Sequence, residues 1–572
     1  MKKRVWLGWL IPCYVLALSP NEEPSSYHLQ KAKEREEAIE NQQLPSPRVR
    51  LGEEQHFEEA VLPRDETPCF VVEPAKITLQ QEESLSFHEE LQHALKILHY
   101  PSEGMCLGVA GINQIATTLQ NRLIGQGYVT TRVMVEPQDL SQGHLQYTLV
   151  AGKVDRIRFG DANNTTAALV FAMPMEKGSL LNLRDIEQGL EDLRRVPSSS
   201  ASMQIVPSEQ MGYSDIVVDY AQALPFRGTL SVDDAGTKAT GKLQGGATFS
   251  WDNPLGLNDL FYYSYTQDIG DHKKTTLNDE TKQGTSHNHA WHYSVPFGYW
   301  LVSYNESDYS YNQKVAGSSQ IYAYTGESTS RSINLQRVLY RDDTSKLSAN
   351  VKGWERSSNN FIDDAEIDVQ RRRVAGYEVG LDVRHYFESA VVDVSASYKR
   401  GTGAQDALRA PEEAFGEGTS RMRIYTLNAS LQLPFELAGE KLAYFSSVIF
   451  QYNQTPLSPQ DRLSIGGRSS VRGFDGEYTL SGDRGWISRN ELEWNYSSTH
   501  KSYIALDAGH VSGRSAHDLL GQSLVGSAVG MRGQVALMGT LSYDVFVGVP
   551  LYKPDFFPGK DIVGGFSIVY HF

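Results

Sequence analysis

The chain has 572 residues, a formal net charge of −16 and a pI near 5.5; it is 40% hydrophobic, 10% aromatic and 21% charged. So acidic a balance argues against a nucleic-acid-binding protein, which needs an extended basic surface to neutralise a run of phosphates. The one long apolar run, Val5–Leu18, is shorter than the roughly 20 residues a spanning helix needs, so a helical transmembrane bundle is excluded, whereas a β-barrel with alternating strands is not.

Lys2, Lys3 and Arg4 precede that run, the pattern of a secretory signal peptide over residues 1–20. Cys13 falls inside it. Cys69 and Cys106 are left as a candidate disulfide of an exported chain, with two free thiols as the alternative. Ser25–Gln43 reads as a helix, within an N-terminal segment 21–43. Ser25 or Ser26 can cap it, and Lys31, Lys33, Arg35 and Glu37 lie among strong helix formers. It has almost no apolar face, so it is either solvated or held in a polar cavity. Residues 44–67, with Pro45, Pro47 and Pro63 among many charges, read as a mobile, extended linker. Glu22–Glu66 holds twelve acidic and six basic residues, a sizeable part of the negative charge.

Residues 68–152 carry the order β-α-α-β-β. A strand at Phe70–Val72 and Ile77 is followed by helices at Phe87–Leu98 and Val109–Gly125, the second with Ile112, Ile115, Leu119 and Leu123 on one face. Val129–Val133 and Leu145–Leu149 then alternate. The order recurs in residues 153–222: a strand at Val154–Phe159, helices at Thr165–Met173 and Leu183–Arg194, and strands at Met203–Val206 and Ile216–Tyr220. Two such units make an internal structural repeat.

From residue 223 the helical spacing vanishes. Tyr425, Leu427, Ala429, Leu431 and Leu433 alternate with polar residues, and Val392–Tyr398 and Leu541–Val549 do the same. Aromatic residues cluster at Phe261–Tyr265 and Trp291–Trp300, as in the girdles of a membrane barrel, and the chain ends on Phe572 in the apolar register. The segments are about ten residues long, and about 350 residues at roughly 22 per strand and loop give near 16 antiparallel strands, an allowed even number.

The stretch Leu463–Glu493 contains Ile465-Gly466-Gly467, Val471-Arg472-Gly473-Phe474, Gly482-Asp483-Arg484-Gly485 and Arg489-Asn490-Glu491-Leu492. It closely resembles the TpsB two-partner secretion transporters, the haemolysin secretion/activation (ShlB/FhaC/HecB) family. Val471-Arg472-Gly473-Phe474 resembles the family's lid-loop tip, and Leu506-Asp507-Ala508-Gly509 its barrel-wall motif. Gln126–Val133 and Pro137–Gly143 resemble its first POTRA domain, and Trp251–Asp259 its early barrel strands. The resemblance spans Pro68 to Phe572. It implies a plug helix, a linker, two α+β POTRA domains and a 16-stranded barrel in the bacterial outer membrane, with the POTRA domains in the periplasm. It also implies export of a large TpsA-type exoprotein, bound by its N-terminal secretion domain, and contact with outer-membrane lipid and, during biogenesis, the barrel-assembly machinery.

Strand register places Asp507 and Gly509 on one face, opposite Leu506 and Ala508, and puts Arg489, Glu491 and Glu493 together on the neighbouring strand. The expectation is that the loop tip folds inward and Arg472 pairs with Asp507, with Glu491 as second acceptor and Gly473 supplying the turn. An enzyme is the rival reading. His287, His289 and His292 form a cluster, but strand spacing puts His292 on the opposite face, and neither a metal set nor a G-x-S-x-G elbow is present. No G-x-x-x-x-G-K-[ST] loop occurs, so no nucleotide, cofactor or metal is expected. A barrel-assembly factor of the same superfamily is the second alternative, disfavoured by the two β-α-α-β-β units.

Overall fold

The computed structural model describes residues 24–43, 49–51, 61–82, 85–160, 166–270, 275–277 and 280–572. The signal-peptide segment lies outside the described residues.

Helix α1 runs Pro24–Gln43. It begins on a proline, a residue favoured at the first helical position, so Ser25 and Ser26 sit within the first turn rather than at the cap. The first α+β unit holds α2 (His88–Ile97) and α3 (Val109–Gly125) over a three-stranded sheet of Ile77–Gln80, Leu145–Val150 and Arg132–Met134. The stripe Ile112, Ile115, Leu119, Leu123 is buried against Leu91, Leu95 and Tyr147; each such side chain contributes roughly 1.5–3 kcal/mol by leaving water. The Tyr147 hydroxyl, fully enclosed, donates to the Ile112 carbonyl at 2.9 Å.

Phe70–Val72 departs from the sequence expectation. It stands outside that sheet and pairs antiparallel with Met105–Leu107, Val71 opposite Cys106. Between it and Ile77 lies a 3₁₀ turn, Pro74–Lys76, whose proline has no N–H to continue a ladder. The unit therefore has one short ribbon more than β-α-α-β-β. Cys69 and Cys106 are disulfide-bonded across this ribbon, with Cα atoms 5.3 Å apart.

The second unit repeats the three-stranded topology: Lys153–Phe159 parallel to Tyr213–Gln222, which is antiparallel to Ser199–Pro207. Its helices are α4 (Thr166–Ala172) and α5 (Leu183–Leu193). The Asn182 side chain caps α5 by accepting the Arg184 N–H at 2.8 Å.

Sixteen antiparallel strands, from Phe226–Asp233 to Val563–His571, close into a barrel by pairing the last with the first. The alternation read from sequence is the in–out alternation of the wall. Leu492, Ile504, Val529 and Val547 lie opposite one another on four successive strands and all face outward. No helix among the described residues is long and apolar enough to cross a membrane. The strands Trp300–Ala316, Ile321–Arg341 and Ser345–Ile362 have 17, 21 and 18 residues, longer than expected. Their outward faces turn charged at Glu327, Arg331 and Glu355, so the surplus length stands beyond the apolar band.

The linker differs most from its expectation. Val49 and Leu62 are buried, the first in the core of the second unit and the second in that of the first. The Glu66 carboxylate accepts the N–H groups of Gly108, Ala110 and Gly111 at 2.8, 2.8 and 3.0 Å. These are orphan donors at the start of α3, where a negative charge is favourable. An excess of charge in the sequence concealed a few anchoring residues.

Candidate functional site: a lumen closed by a loop and a helix

The segment between the strands Glu440–Asn453 and Arg484–Trp494 folds into the barrel. Ser470 staples its turn, its hydroxyl accepting the N–H groups of Gly466 and Gly467 at 3.1 Å each. Val471 is fully buried among Ile465, Leu480, Ile487, Val511 and Leu524, and Phe474 packs edge-on against Phe557 with ring centroids 5.9 Å apart. An apolar seat inside a polar lumen holds the tip by the ordinary hydrophobic effect.

Arg472 is 5% exposed and Asp507 0%. The guanidinium donates through Nε to Asp507 Oδ2 at 2.7 Å and through Nη2 to Oδ1 at 2.9 Å, a bidentate pair. The Arg472 backbone N–H adds a third bond to the same carboxylate at 3.0 Å. Nη1 pairs with Glu491. Arg489, directly across the strands from Asp507, lies 3.9 Å from it and donates to the Ser469 carbonyl at 3.3 Å. One loop arginine thus faces two wall carboxylates, with all its charge-bearing partners supplied.

Sequence reasoning missed three wall residues. Arg532 binds Glu491 at 2.7 Å and Glu493 at 3.1 Å, with its guanidinium 4.3 Å from the Tyr503 ring centroid, and so fixes the acceptor that Arg472 uses. Gly526 and Gly548 form the floor beneath the tip. A Cβ on Gly526 would collide with the Arg472 carbonyl oxygen, and one on Gly548 would lie 2.9 Å from the Gly473 nitrogen. Gly473 itself has φ +105°, and a side chain there would strike the Val549 carbonyl. Gly509 completes the floor under Ile465 and Val471. The i, i+2 spacing of Glu491 and Glu493 was visible; a strand glycine acquires meaning only once the loop is seen to lie on it.

Helix α1 also lies inside the barrel. Gln43 is enclosed, its amide donating to Thr229 at 3.2 Å and accepting from Ser250 at 2.8 Å. Glu36 accepts from Ser307 at 3.3 Å. Lys31 bonds Glu34 at 3.0 Å beside the loop glycines Gly467 and Gly476. Lys33 and Glu37 pair loosely at 3.7 Å and remain exposed, and Arg35 is half-buried. Among the described side chains of the helix, Ile39 makes an apolar contact, against Val196, Leu260 and Tyr262. Tyr262 therefore points inward, away from the outer aromatic row that contains Tyr263. His292 is likewise interior, stacked on Tyr262, while His287 is exposed on the outer face. Among the described residues no group of three metal-ligating side chains occurs.

Helix α5 docks under the same mouth. Arg341 binds Glu187 at 3.1 Å and Glu191 at 2.9 Å, and Lys346 binds Glu191 at 2.6 Å. The linker threads this junction: the Val49 and Leu51 N–H groups donate to Glu191 and Glu187 at 3.3 and 2.7 Å, and Arg341 donates to the Val49 carbonyl at 2.6 Å. Burial alone would raise the Glu191 carboxyl; Lys346 and Arg341 outweigh it and hold the group below the usual glutamate range. Asp192, buried, is pushed well above its ordinary value by desolvation.

A closed barrel with an apolar outer band, a loop and a helix of the same chain inside it and two α+β units preceding it defines an outer-membrane transporter. Residues 212–533 match the family described as haemolysin secretion/activation protein ShlB/FhaC/HecB; residues 74–152 match a ShlB-type POTRA domain and residues 153–207 a POTRA domain. The outer membrane transporter CdiB-2 of Burkholderia pseudomallei (strain 1026b) is 35% identical over 95% of this chain and 93% of its own. The hemolysin transporter protein HpmB of Proteus mirabilis is 26% identical over 89% of each chain. The structure of CdiB from Acinetobacter baumannii superposes with a TM-score of 0.81 at 29% identity, covering 96% of this chain and all of that one. The chain belongs to the ShlB/FhaC/HecB family of two-partner secretion transporters, sits in the outer membrane and holds its POTRA domains in the periplasm.

Proposed function

We propose that the structure is the resting state of an exporter that passes an unfolded TpsA-type exoprotein from periplasm to cell surface and carries out no enzymatic reaction. The reading rests on one observation above all: two parts of the same chain lie inside the barrel, α1 held mainly by polar contacts and the Arg472 loop by ion pairs and hydrogen bonds over a small apolar seat. Such contacts exchange for water at modest net cost, about 0.5–1.5 kcal/mol for a neutral hydrogen bond, whereas a fused core would not.

The POTRA sheets supply the capture surface. Ser199–Pro207 and Ile77–Gln80 are edge strands of their sheets, and an extended segment adds to such an edge by backbone bonds while side-chain pockets give selectivity. Residues 68–152 and 153–222 act as the two receptor units, residues 21–43 as the plug and residues 223–572 as the conduit. With no nucleotide in reach, folding of the exoprotein outside supplies the direction. The similarity to CdiB and HpmB transporters favours a toxin-like or haemolysin-like cargo.

The test is reconstitution. Proteoliposomes containing only the purified chain should take up the unfolded N-terminal secretion segment of the exoprotein encoded beside it, without nucleotide. Protease-protected uptake supports the proposal; uptake no greater than in empty vesicles contradicts it.

A further inference from the structure

The outer face of the barrel carries a second arrangement that transport does not use. Tyr398, Tyr425 and Tyr452 are cross-strand neighbours, Tyr398 opposite Tyr425 and Tyr425 opposite Tyr452, with Tyr425 and Tyr452 exposed. They form a stretch of the aromatic row that marks a membrane interface. Two residues further toward the surface end of their strands stand Arg400 and Arg423, directly opposite each other. Arg484 follows on the next strand but one, its guanidinium 5.7 Å from the Tyr452 ring centroid. All three are exposed, and the intervening Ile424 and Gly485 face inward and are buried, so the arginines face out.

Like charges placed directly opposite on a sheet repel and destabilise it. Elsewhere on this outer face the repulsion is met by carboxylates: Arg331 lies between Glu306 and Glu355 at 2.9 and 3.3 Å. Arg400, Arg423 and Arg484 have no carboxylate partner among the described residues. Nor does Arg514, which reaches the Gly416 carbonyl at 3.0 Å. Arg423, Arg484 and Arg514 line one recess of about 500 Å³ together with Tyr452, Gln454 and Thr455. The only acid in its lining, Asp483, is 2% exposed and turned inward, accepting the N–H groups of Leu457 and Ser515 at 3.2 and 3.0 Å. In a chain of net charge −16, three unmatched guanidiniums lining one recess just outside an aromatic row, with Arg400 facing Arg423 beside it, call for an anion from outside the protein.

We propose that this recess binds the phosphate-bearing headgroup of an outer-leaflet lipid. The geometry selects a lipid: the aromatic floor stands at the level where acyl chains end, and guanidiniums take phosphate oxygens in pairs. The bound phosphate relieves the Arg400–Arg423 repulsion and pins the barrel's height and rotation at the wall that carries the inward-folding loop, since that loop leaves the wall between Tyr452 and Arg484.

The test is native mass spectrometry of the full chain in detergent, titrated with bisphosphorylated lipid A or with the same lipid A stripped of phosphate. The wild-type chain should hold the phosphorylated lipid at least tenfold more tightly. Arg423→Ala/Arg484→Ala/Arg514→Ala should weaken it about 100-fold, on the order of fivefold per guanidinium near an anionic surface, while Arg331→Ala, whose arginine is already paired, leaves it unchanged. Equal binding of the two lipids by the wild-type chain overturns the proposal without recourse to any variant. Wild-type affinity in a triple variant that still migrates as a heat-modifiable barrel overturns it as well.

Discussion

At the scale of single residues, Arg472 decides whether the loop stays in. Its pair with Asp507 is shielded from water, and removing one partner of a shielded pair leaves a stranded charge worth roughly 3–5 kcal/mol. Arg472→Ala and Asp507→Ala should each impair secretion and raise single-channel conductance, and the double variant should be no worse than the poorer single one. Strictly additive losses would show that the two side chains act separately. Arg472→Lys should behave nearly as Arg472→Ala, because an ammonium cannot reproduce the two parallel bonds to Asp507. Gly526→Ala tests the same seat by shape: its methyl group takes the place of the Arg472 carbonyl, so the loop should be displaced and conductance should rise with every charged partner intact. Unchanged conductance in that variant would mean the loop seats differently.

At the scale of elements, the first POTRA unit depends on its ribbon. The Cys69–Cys106 bridge closes a loop of 37 residues, which the chain-entropy model values at about 3–4 kcal/mol. Cys69→Ser/Cys106→Ser should lower the unit's stability by that order in urea unfolding, with the barrel unaffected. The α5 junction should answer to pH. A carboxylate held below its ordinary value, as Glu191 is, contributes stability that is present at neutral pH and is lost as pH falls through that lowered value. Asp192 runs the other way, because burial raises it, so neutralising it at low pH favours the packed state. Amide exchange at Val49 and Leu51 should therefore accelerate only below the ordinary glutamate range, and Glu191→Gln should show the faster exchange already at pH 7.

What the sequence made legible follows from the range of the interactions involved. The α3 stripe, the repeated unit and the strand alternation are set by neighbours a few residues apart, so periodicity reveals them. The Arg472–Asp507–Glu491 triangle was reachable because strand register and the family motif point three residues at one spot. Arg532 was not, since nothing in its own strand marks it; it matters only because Glu491 sits across the wall. Gly526 and Gly548 were invisible for the same reason. The anchoring of Val49, Leu62 and Glu66 was hidden by the composition around them, which describes an average while three side chains do the holding.

At the scale of the whole molecule, the acidic charge and the mean hydropathy of −0.40 are the sum of a polar lumen, a charged helix and two periplasmic units around a wall that is apolar on one side only. The central claim is that α1 and the loop must leave that lumen for cargo to pass. The most direct measurement locks the helix in place. Glu36 and Ser307 touch at 3.3 Å, so Glu36→Cys with Ser307→Cys, joined by a short reducible bis-methanethiosulfonate cross-linker, ties α1 to the wall. Secretion should stop while the link is closed and return on mild reduction, with the wild-type chain under the same reductant as control for the native bridge. Undiminished secretion with the link demonstrably intact would contradict the account.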